Sequence, residues 1–153
     1  MKLTVEQALQ QGIDAHRDGK LQEAEFLYRA VLNTQPTHPH ANHNLGVLLL
    51  DIGKINEATA FFKKAVESDS FQPQFLASYI SALVDSNKGI AGDQLIATVS
   101  RNRDAIYYQK VAQALNNAGV KRKKSKLYGP AQYLYYYALV FKPDYAAALN
   151  NLG

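Results

Sequence analysis

Two stretches of the chain, GIDAHRDGKLQEAEFLYRAVLNTQP (residues 12–36) and GVLLLDIGKINEATAFFKKAVESDS (residues 46–70), align without a gap. Gly12 matches Gly46, Gly19 matches Gly53, Lys20 matches Lys54, Glu23-Ala24 match Glu57-Ala58, and Tyr28 matches Phe62. So many matches at one offset, 34 residues, mark an internal repeat. The C-terminal stretch YGPAQYLYYYALVFKPDYAAALNNLG (128–153) keeps the frame. Ala131, Tyr135, Ala138 and Pro143 stand where Ala24, Tyr28, Val31 and Pro36 stand in the first unit, and NNLG repeats the HNLG of 43–46.

Each unit reads as a pair of helices. Thr4 and Gln7 have the spacing of a capping box and open the first helix. Gly19 supplies the left-handed residue that ends it. The second helix presents Ala24, Tyr28 and Val31 at helical spacing, and Pro36 stops it. Gly12 or Gly46 in the first helix, and Ala24 or Ala58 in the second, allow close approach, while Tyr28 or Phe62 fills the space beyond. One pair cannot bury its apolar face alone, so such units stack.

The period, the small residues at fixed offsets, the aromatic in the second helix and the closing proline resemble the tetratricopeptide repeat (TPR) family. The resemblance implies an all-α fold, a right-handed superhelical solenoid of antiparallel helix pairs. It implies one domain over 1–153, with repeats at 5–38, 39–72, a degenerate 73–106, 112–145 and a partial fifth at 146–153. The third unit departs from the pattern, with Ile80 in place of glycine and Gly92 in place of alanine. An exchange of volume between those two positions is expected. The fourth unit starts five residues late, so SRNRDAIYYQ (100–109) is expected to lengthen its first helix. Its turn glycine is missing, and Gly129-Pro130 reads as a displaced turn with proline at the first helical position. A chain stopping mid-helix at Gly153 reads as a piece of a longer protein.

Composition narrows the chemistry. At 153 residues, 47% hydrophobic and 20% charged, the chain has an ordinary globular makeup. It holds no cysteine, which excludes disulfides, thiol catalysis and cysteine zinc sites. The start, MKLTVEQALQQG, lacks the apolar core of a signal peptide, and LGVLLL (45–50) is too short to span a bilayer. A cytoplasmic location and no membrane partner are therefore expected. Residues 1–76 carry 7 basic and 9 acidic residues, whereas 77–153 carry 10 and 4, with KRKKSK (121–126) supplying much of the excess. A helix C-terminus favours lysines through its dipole, so a solvated end is the expectation there, and nucleic acid is not.

In the TPR family the first helices line a groove that binds extended peptides. By resemblance the groove positions include Gln10, Ile13, His16 and Arg17 in unit one, and His40, His43, Asn44, Val47 and Asp51 in unit two. Unit three offers Ser78, Ser81 and Asp85, and unit four Asn116, Asn117, Val120 and Lys124. Asn44, Asn117 and Asn151 share one repeat position, and an amide can pair with a peptide backbone of any sequence. Similar asparagine ladders line the TPR arms of O-linked N-acetylglucosamine transferases; here Gln10 and Ser78 interrupt the ladder. Leu9, Ile13, Ala77 and Ser81 stand where TPR proteins that clamp chaperone tails need basic or amide groups, which argues against that subtype. His38, His40 and His43 crowd one joint, with His16 from the preceding helix placed to face His43. No carboxylate completes a ligand set and no His-Glu-x-x-His pattern occurs, so no metal is expected.

In AQYLYYYALVF (131–141), Ala131, Tyr135 and Ala138 already form a core stripe. Tyr133, Tyr136, Tyr137 and Val140 make a second apolar stripe, where unit two has Ala60, Lys63, Lys64 and Glu67. A helix apolar all round is buried, so this one should pack on the helix holding Tyr107 and Tyr108 or on another copy of the chain. Tyr133, Tyr136 and Tyr137 are thus candidates for self-association through helix 130–141. No nucleophile–base pair, phosphate loop or paired carboxylates stand out, so no catalysis and no cofactor are expected. The expected function is a non-catalytic scaffold that binds a protein or extended peptide in its groove, through His16, Arg17, His40, His43, Asn44, Asn117, Lys124 and Asn151. Two alternatives stand beside it: a substrate-presenting arm of a larger glycosyltransferase- or sulfotransferase-like enzyme, and a self-assembling scaffold.

Overall fold

The computed structural model describes residues 2–99 and 103–153. Among them nine α-helices are joined by short turns, and no strand occurs. In chain order they are α1 (Val5–Arg17), α2 (Leu21–Thr34), α3 (Pro39–Asp51), α4 (Ile55–Ser68), α5 (Pro73–Asp85), α6 (Gly89–Val99), α7 (Ala105–Lys124), α8 (Tyr128–Phe141) and α9 (Ala146–Leu152). They form two compact units, Met1–Ser70 with α1 to α4 and Phe71–Gly153 with α5 to α9.

In the first unit, local chemistry sets the helix ends. The Thr4 hydroxyl accepts the Gln7 N–H at 3.1 Å, and the Gln7 side chain accepts the Thr4 N–H at 3.0 Å, completing the capping box. Gly19 and Gly53 end α1 and α3 at φ +77° and +79°, in the left-handed region that suits glycine. His38 caps α3, its Nδ1 accepting the Ala41 N–H at 3.2 Å, and Pro39 takes the first helical position. Asn42, which sequence reasoning passed over, is buried and donates to the Pro36 and His38 carbonyls, both at 3.0 Å. It ties down the turn between α2 and α3.

The helices pair through glycine and an aromatic ring. A Cβ on Gly12 would sit 2.7 Å from Tyr28 Cε1, and one on Gly46 would sit 2.7 Å from Phe62 Cε1. In the second unit a Cβ on Gly119 would sit 2.6 Å from Tyr135 Cε1. Three repeats thus use the same contact, ring against bare backbone.

The second unit also shows how repeats can vary. Asn87 and Lys126 occupy the turn position of Gly19 and Gly53, at φ +59° and +61°. The Lys126 and Leu127 amides donate back to the Lys123 and Arg122 carbonyls, as Gly19 and Lys20 donate to His16 and Ala15. The turn expected at Gly129-Pro130 therefore lies earlier, at Ser125-Lys126. Gly129 and Pro130 belong to the first turn of α8, where a missing amide hydrogen breaks no intrahelical bond. Helix α7 is extended, at 20 residues against 13 for α1, α3 and α5, and Asp104 caps it by accepting the Tyr107 N–H at 2.7 Å. Residues 100–102 of the stretch expected to lengthen it lie outside the described residues.

The volume exchange in the third repeat runs differently from the expected one. The three atoms nearest a Cβ built on Gly92 all belong to Tyr137, its hydroxyl at 3.1 Å. Ile80 is instead answered by Ile96, at the ring position of the pattern; both are buried in one cluster with Tyr137, Val111 and Leu115. Two aliphatic side chains in one cluster thus stand where the other repeats set glycine against a ring.

Two stability measurements follow. Gly46→Ala should cost about 1–3 kcal/mol in urea denaturation, and adding Phe62→Ile should recover part of it; strictly additive costs would refute the contact. The Tyr135 hydroxyl is buried with no hydrogen-bond partner among the described residues. Tyr135→Phe, the residue type of Phe62, should therefore raise stability by about 1 kcal/mol in the same assay.

Candidate functional site

Helices α1 and α3 are first helices of consecutive repeats, so equivalent residues come side by side. Ile13 and Val47 are one such pair, Arg17 and Asp51 another. Together with His16, Leu21, Tyr28 and Asn44 they line an open cleft of about 580 Å³. Its lining sets the aliphatic Ile13, Leu21 and Val47 among the polar His16, Arg17, Asn44 and Asp51. His16 Nε2 lies 2.9 Å from Asp51 Oδ2, and its ring meets Tyr28 edge-on at 6.3 Å. Arg17 is exposed and pairs with Asp14 at 2.9 Å, while Gln10 bonds the same Asp14.

Asn44 lines the cleft from α3, and His43 precedes it in the same helix. The His43 ring packs on Phe62 at 5.6 Å, and its Nδ1 stands 3.4 Å from Asn44 Oδ1. Burial holds its pKa down at about 4, against the weaker opposing pull of the Asn44 hydrogen bond. His40 is exposed, edge-on to the capping His38 at 6.4 Å. The histidines therefore hold separate posts: cap, surface, core edge and hydrogen-bond partner of Asp51. Among the described residues no three metal-binding side chains gather.

The second unit treats the same repeat positions differently. Asp85, the equivalent of Asp51, is gripped by Arg122 of α7 through Nε at 3.2 Å and through Nη2, with both side chains largely buried. A carboxylate at this position thus takes a nitrogen donor from a neighbouring first helix in either unit. Asn151 donates to Asn116 at 2.9 Å, while Asn117 and Lys124 are exposed. Ser81 is buried and bonds back to the Ala77 carbonyl at 2.8 Å. A second hollow of about 440 Å³ lies where the Arg103 guanidinium covers the Phe71 ring at 4.3 Å, beside Tyr107 and Lys110. Sequence reasoning named Tyr107 only as a packing residue and missed Phe71, Arg103 and Lys110, which stand at no characteristic repeat position.

Residues 15–78 match the family model described as tetratricopeptide repeat. That segment carries the tetratricopeptide repeat pattern. No curated protein matches the sequence. Among solved structures, PilF of Pseudomonas aeruginosa superposes with a TM-score of 0.63 at 19% identity, covering 97% of this chain and 65% of that one. The chain thus spans just under two thirds of PilF. YrrB, described as a TPR protein with an unusual peptide-binding site, gives 0.59 at 15% identity over 97% of this chain and 91% of that one. The O-GlcNAc transferase of Thermobaculum terrenum gives 0.56 at 20% identity over 91% of this chain and only 27% of the enzyme. These likenesses establish the fold, an all-α helical repeat.

Within this helical repeat α8 corrects one expectation. Tyr137 is 1% exposed, packed in the core with Tyr107 and Val111, and cannot form part of an outer association face. Burial, and then the Asp93 carboxylate, push its phenol far up. The helix does pack on the extended α7, with Tyr108 stacked on Phe141 at 6.2 Å. Tyr133, Tyr136 and Val140 remain exposed. Among the described residues no helix is long and apolar enough to cross a membrane.

The His43 environment predicts a pH dependence of stability. The folded pKa of about 4 lies below the ordinary 6.5, so the unfolded chain binds the extra proton between those values. Stability from this group is full above pH 6.5 and falls as pH drops toward 4, by about 2–3 kcal/mol in total. Thermal unfolding followed from pH 7 to pH 4 should show this fall, and His43→Leu, the residue type of Leu9, should flatten it.

Proposed function

We propose that the chain is a non-catalytic binding module that holds an extended peptide in the cleft of its first unit. The observation that carries this reading is the cleft's construction from equivalent positions of two consecutive repeats, Ile13 with Val47 and Arg17 with Asp51, beside the Asn44 amide. A repeating surface matches a repeating ligand, and an extended backbone offers an amide at each step. Asn44 serves the peptide backbone, Ile13 and Val47 seat an aliphatic side chain, and the His16–Asp51 pair with Arg17 reads polar neighbours. In the second unit Asn117 and Lys124 offer exposed polar contacts at corresponding positions. The reading also draws on YrrB, whose description as a peptide-binding TPR protein applies to the same fold.

The likeness to the O-GlcNAc transferase supports a second reading, in which this cleft presents substrate to a catalytic domain elsewhere in a longer protein. Both readings require peptide binding here. Peptides selected from a displayed random library on the intact chain should lose about tenfold or more in affinity on Asn44→Ala combined with Val47→Asp. Circular dichroism should show the helices retained. Selected peptides that bind the double variant as well as the parent would overturn the assignment.

A further inference from the structure

The turn between α7 and α8 and the outer side of α8 combine two features of which the proposed peptide contacts use only Lys124. Lys121, Lys123, Lys124 and Lys126 are all exposed, crowded into the last turn of α7 and the residues that follow it. Arg122, in their midst, is committed to Asp85. Directly after them comes a helix with no charged residue in its 14 positions. Its solvent side nevertheless shows Tyr128, Tyr133, Tyr136 and Val140, at 58%, 58%, 56% and 44% exposure, with Leu127 at 51% just before it. Tyr133 and Tyr136 both lean on the buried Tyr137, at 6.5 and 5.7 Å, so the side chains form one band rather than scattered contacts. Helix α4 has Lys63 and Glu67 where α8 has Tyr136 and Val140, so an apolar outer side is not a demand of the repeat.

An uncharged exposed helix face calls for an apolar partner, and a lysine cluster calls for an anionic one. We propose that this surface docks on an anionic lipid bilayer, with the lysines among the headgroups and Tyr133, Tyr136 and Val140 at the boundary between headgroups and acyl chains. A bilayer interface supplies negative charge and apolar depth side by side, and tyrosine suits that boundary because its ring is apolar and its hydroxyl polar. The α8 face is about 21 Å long at 1.5 Å per residue, enough for an interfacial helix. A nucleic acid fits less well. The free cations are lysines, point charges without the bidentate fork of arginine, and Leu127 and Val140 have no ring face for a base. A second copy docked face to face would bring two lysine clusters together.

The test is co-sedimentation of the intact chain with vesicles of pure phosphatidylcholine and with vesicles containing about one third phosphatidylserine. Binding should require phosphatidylserine and weaken at high salt. Lys121→Gln, Lys123→Gln and Lys126→Asn together should lower partitioning roughly a hundredfold; asparagine is chosen at 126 because Asn87 holds the equivalent turn. Tyr136→Ser with Val140→Ser should also weaken binding while leaving it salt-sensitive, and Asn44→Ala should bind vesicles like the parent. Circular dichroism checks that each variant folds. Equal sedimentation with both vesicle types would overturn the proposal. So would undiminished binding by the Tyr136/Val140 variant together with equal affinity for a short single-stranded RNA or polyglutamate, which would leave only a general polyanion contact. A dimer seen by light scattering and abolished by Tyr136→Ser, without vesicle binding, would assign the face to a second copy.

Discussion

The rest of the structure depends on a glycine backbone pressed against an aromatic ring. At Gly12, Gly46 and Gly119 the ring of the following helix lies so close that even a methyl group would collide with it. The contact brings the helices of a pair together closely enough to bury Ala24, Ala58 and Ala131, residues too small to fill a wider gap. The identity of the ring matters less than its volume. Phe62 serves in one repeat and tyrosine in the others, and the hydroxyl of Tyr135 is buried to no evident benefit. Burial pushes that phenol's pKa up, in keeping with a group that stays neutral in an apolar pocket.

Because each pair closes by itself, its first helix can keep the same outward residues in register with its neighbour. That is why Ile13 and Val47 line one cleft and why one carboxylate position finds a nitrogen donor twice by different routes. Asp51 draws a histidine from the helix before it, and Asp85 draws an arginine from the helix after it. The Asp85 pair is largely buried, and there its geometry must offset the cost of removing two charges from water. The Asp51 pair is more open, so it adds less to stability and remains accessible to a ligand. One repeat position thus does structural work in one unit and lines a cleft in the other.

Much of this architecture was legible in the sequence because the repeat states it several times. Gly19, Gly53, Pro39 and the capping box at Thr4 and Gln7 act through local backbone chemistry, which residue type and spacing reveal. What stayed hidden was local chemistry with an unexpected residue. Lys126 adopts the turn conformation normally taken by glycine, so Gly129-Pro130 looked like the turn although it opens α8. Long-range partners were harder still. Nothing in the spacing pairs Gly92 with Tyr137, which lies 45 positions along the chain and belongs to another helix pair. The cleft was legible as a set of positions, but the His16–Asp51 bond needed coordinates, since one residue ends a helix of the first repeat and the other ends a helix of the second.

The buried Tyr137 shows how one irregular repeat shapes a surface. Ile80 and Ile96 replace the glycine–ring contact of the third repeat, and its second helix has Gly92 where the pattern has alanine. A Cβ there would crowd the Tyr137 hydroxyl at 3.1 Å, so the bare glycine lets the phenol of α8 pack closely against it. Helix α8 is thereby rooted on two sides, by Tyr135 toward Gly119 and by Tyr137 toward Gly92. Tyr133 and Tyr136 rest against the second root. A side chain braced in this way loses less rotamer freedom when a partner covers it, so its burial in a contact is less opposed by entropy. The aromatic side of α8 is therefore more than an accident of composition: the substitution at Gly92 holds its rings in place, and a rigid apolar band beside a lysine cluster is better suited to docking than to solvent.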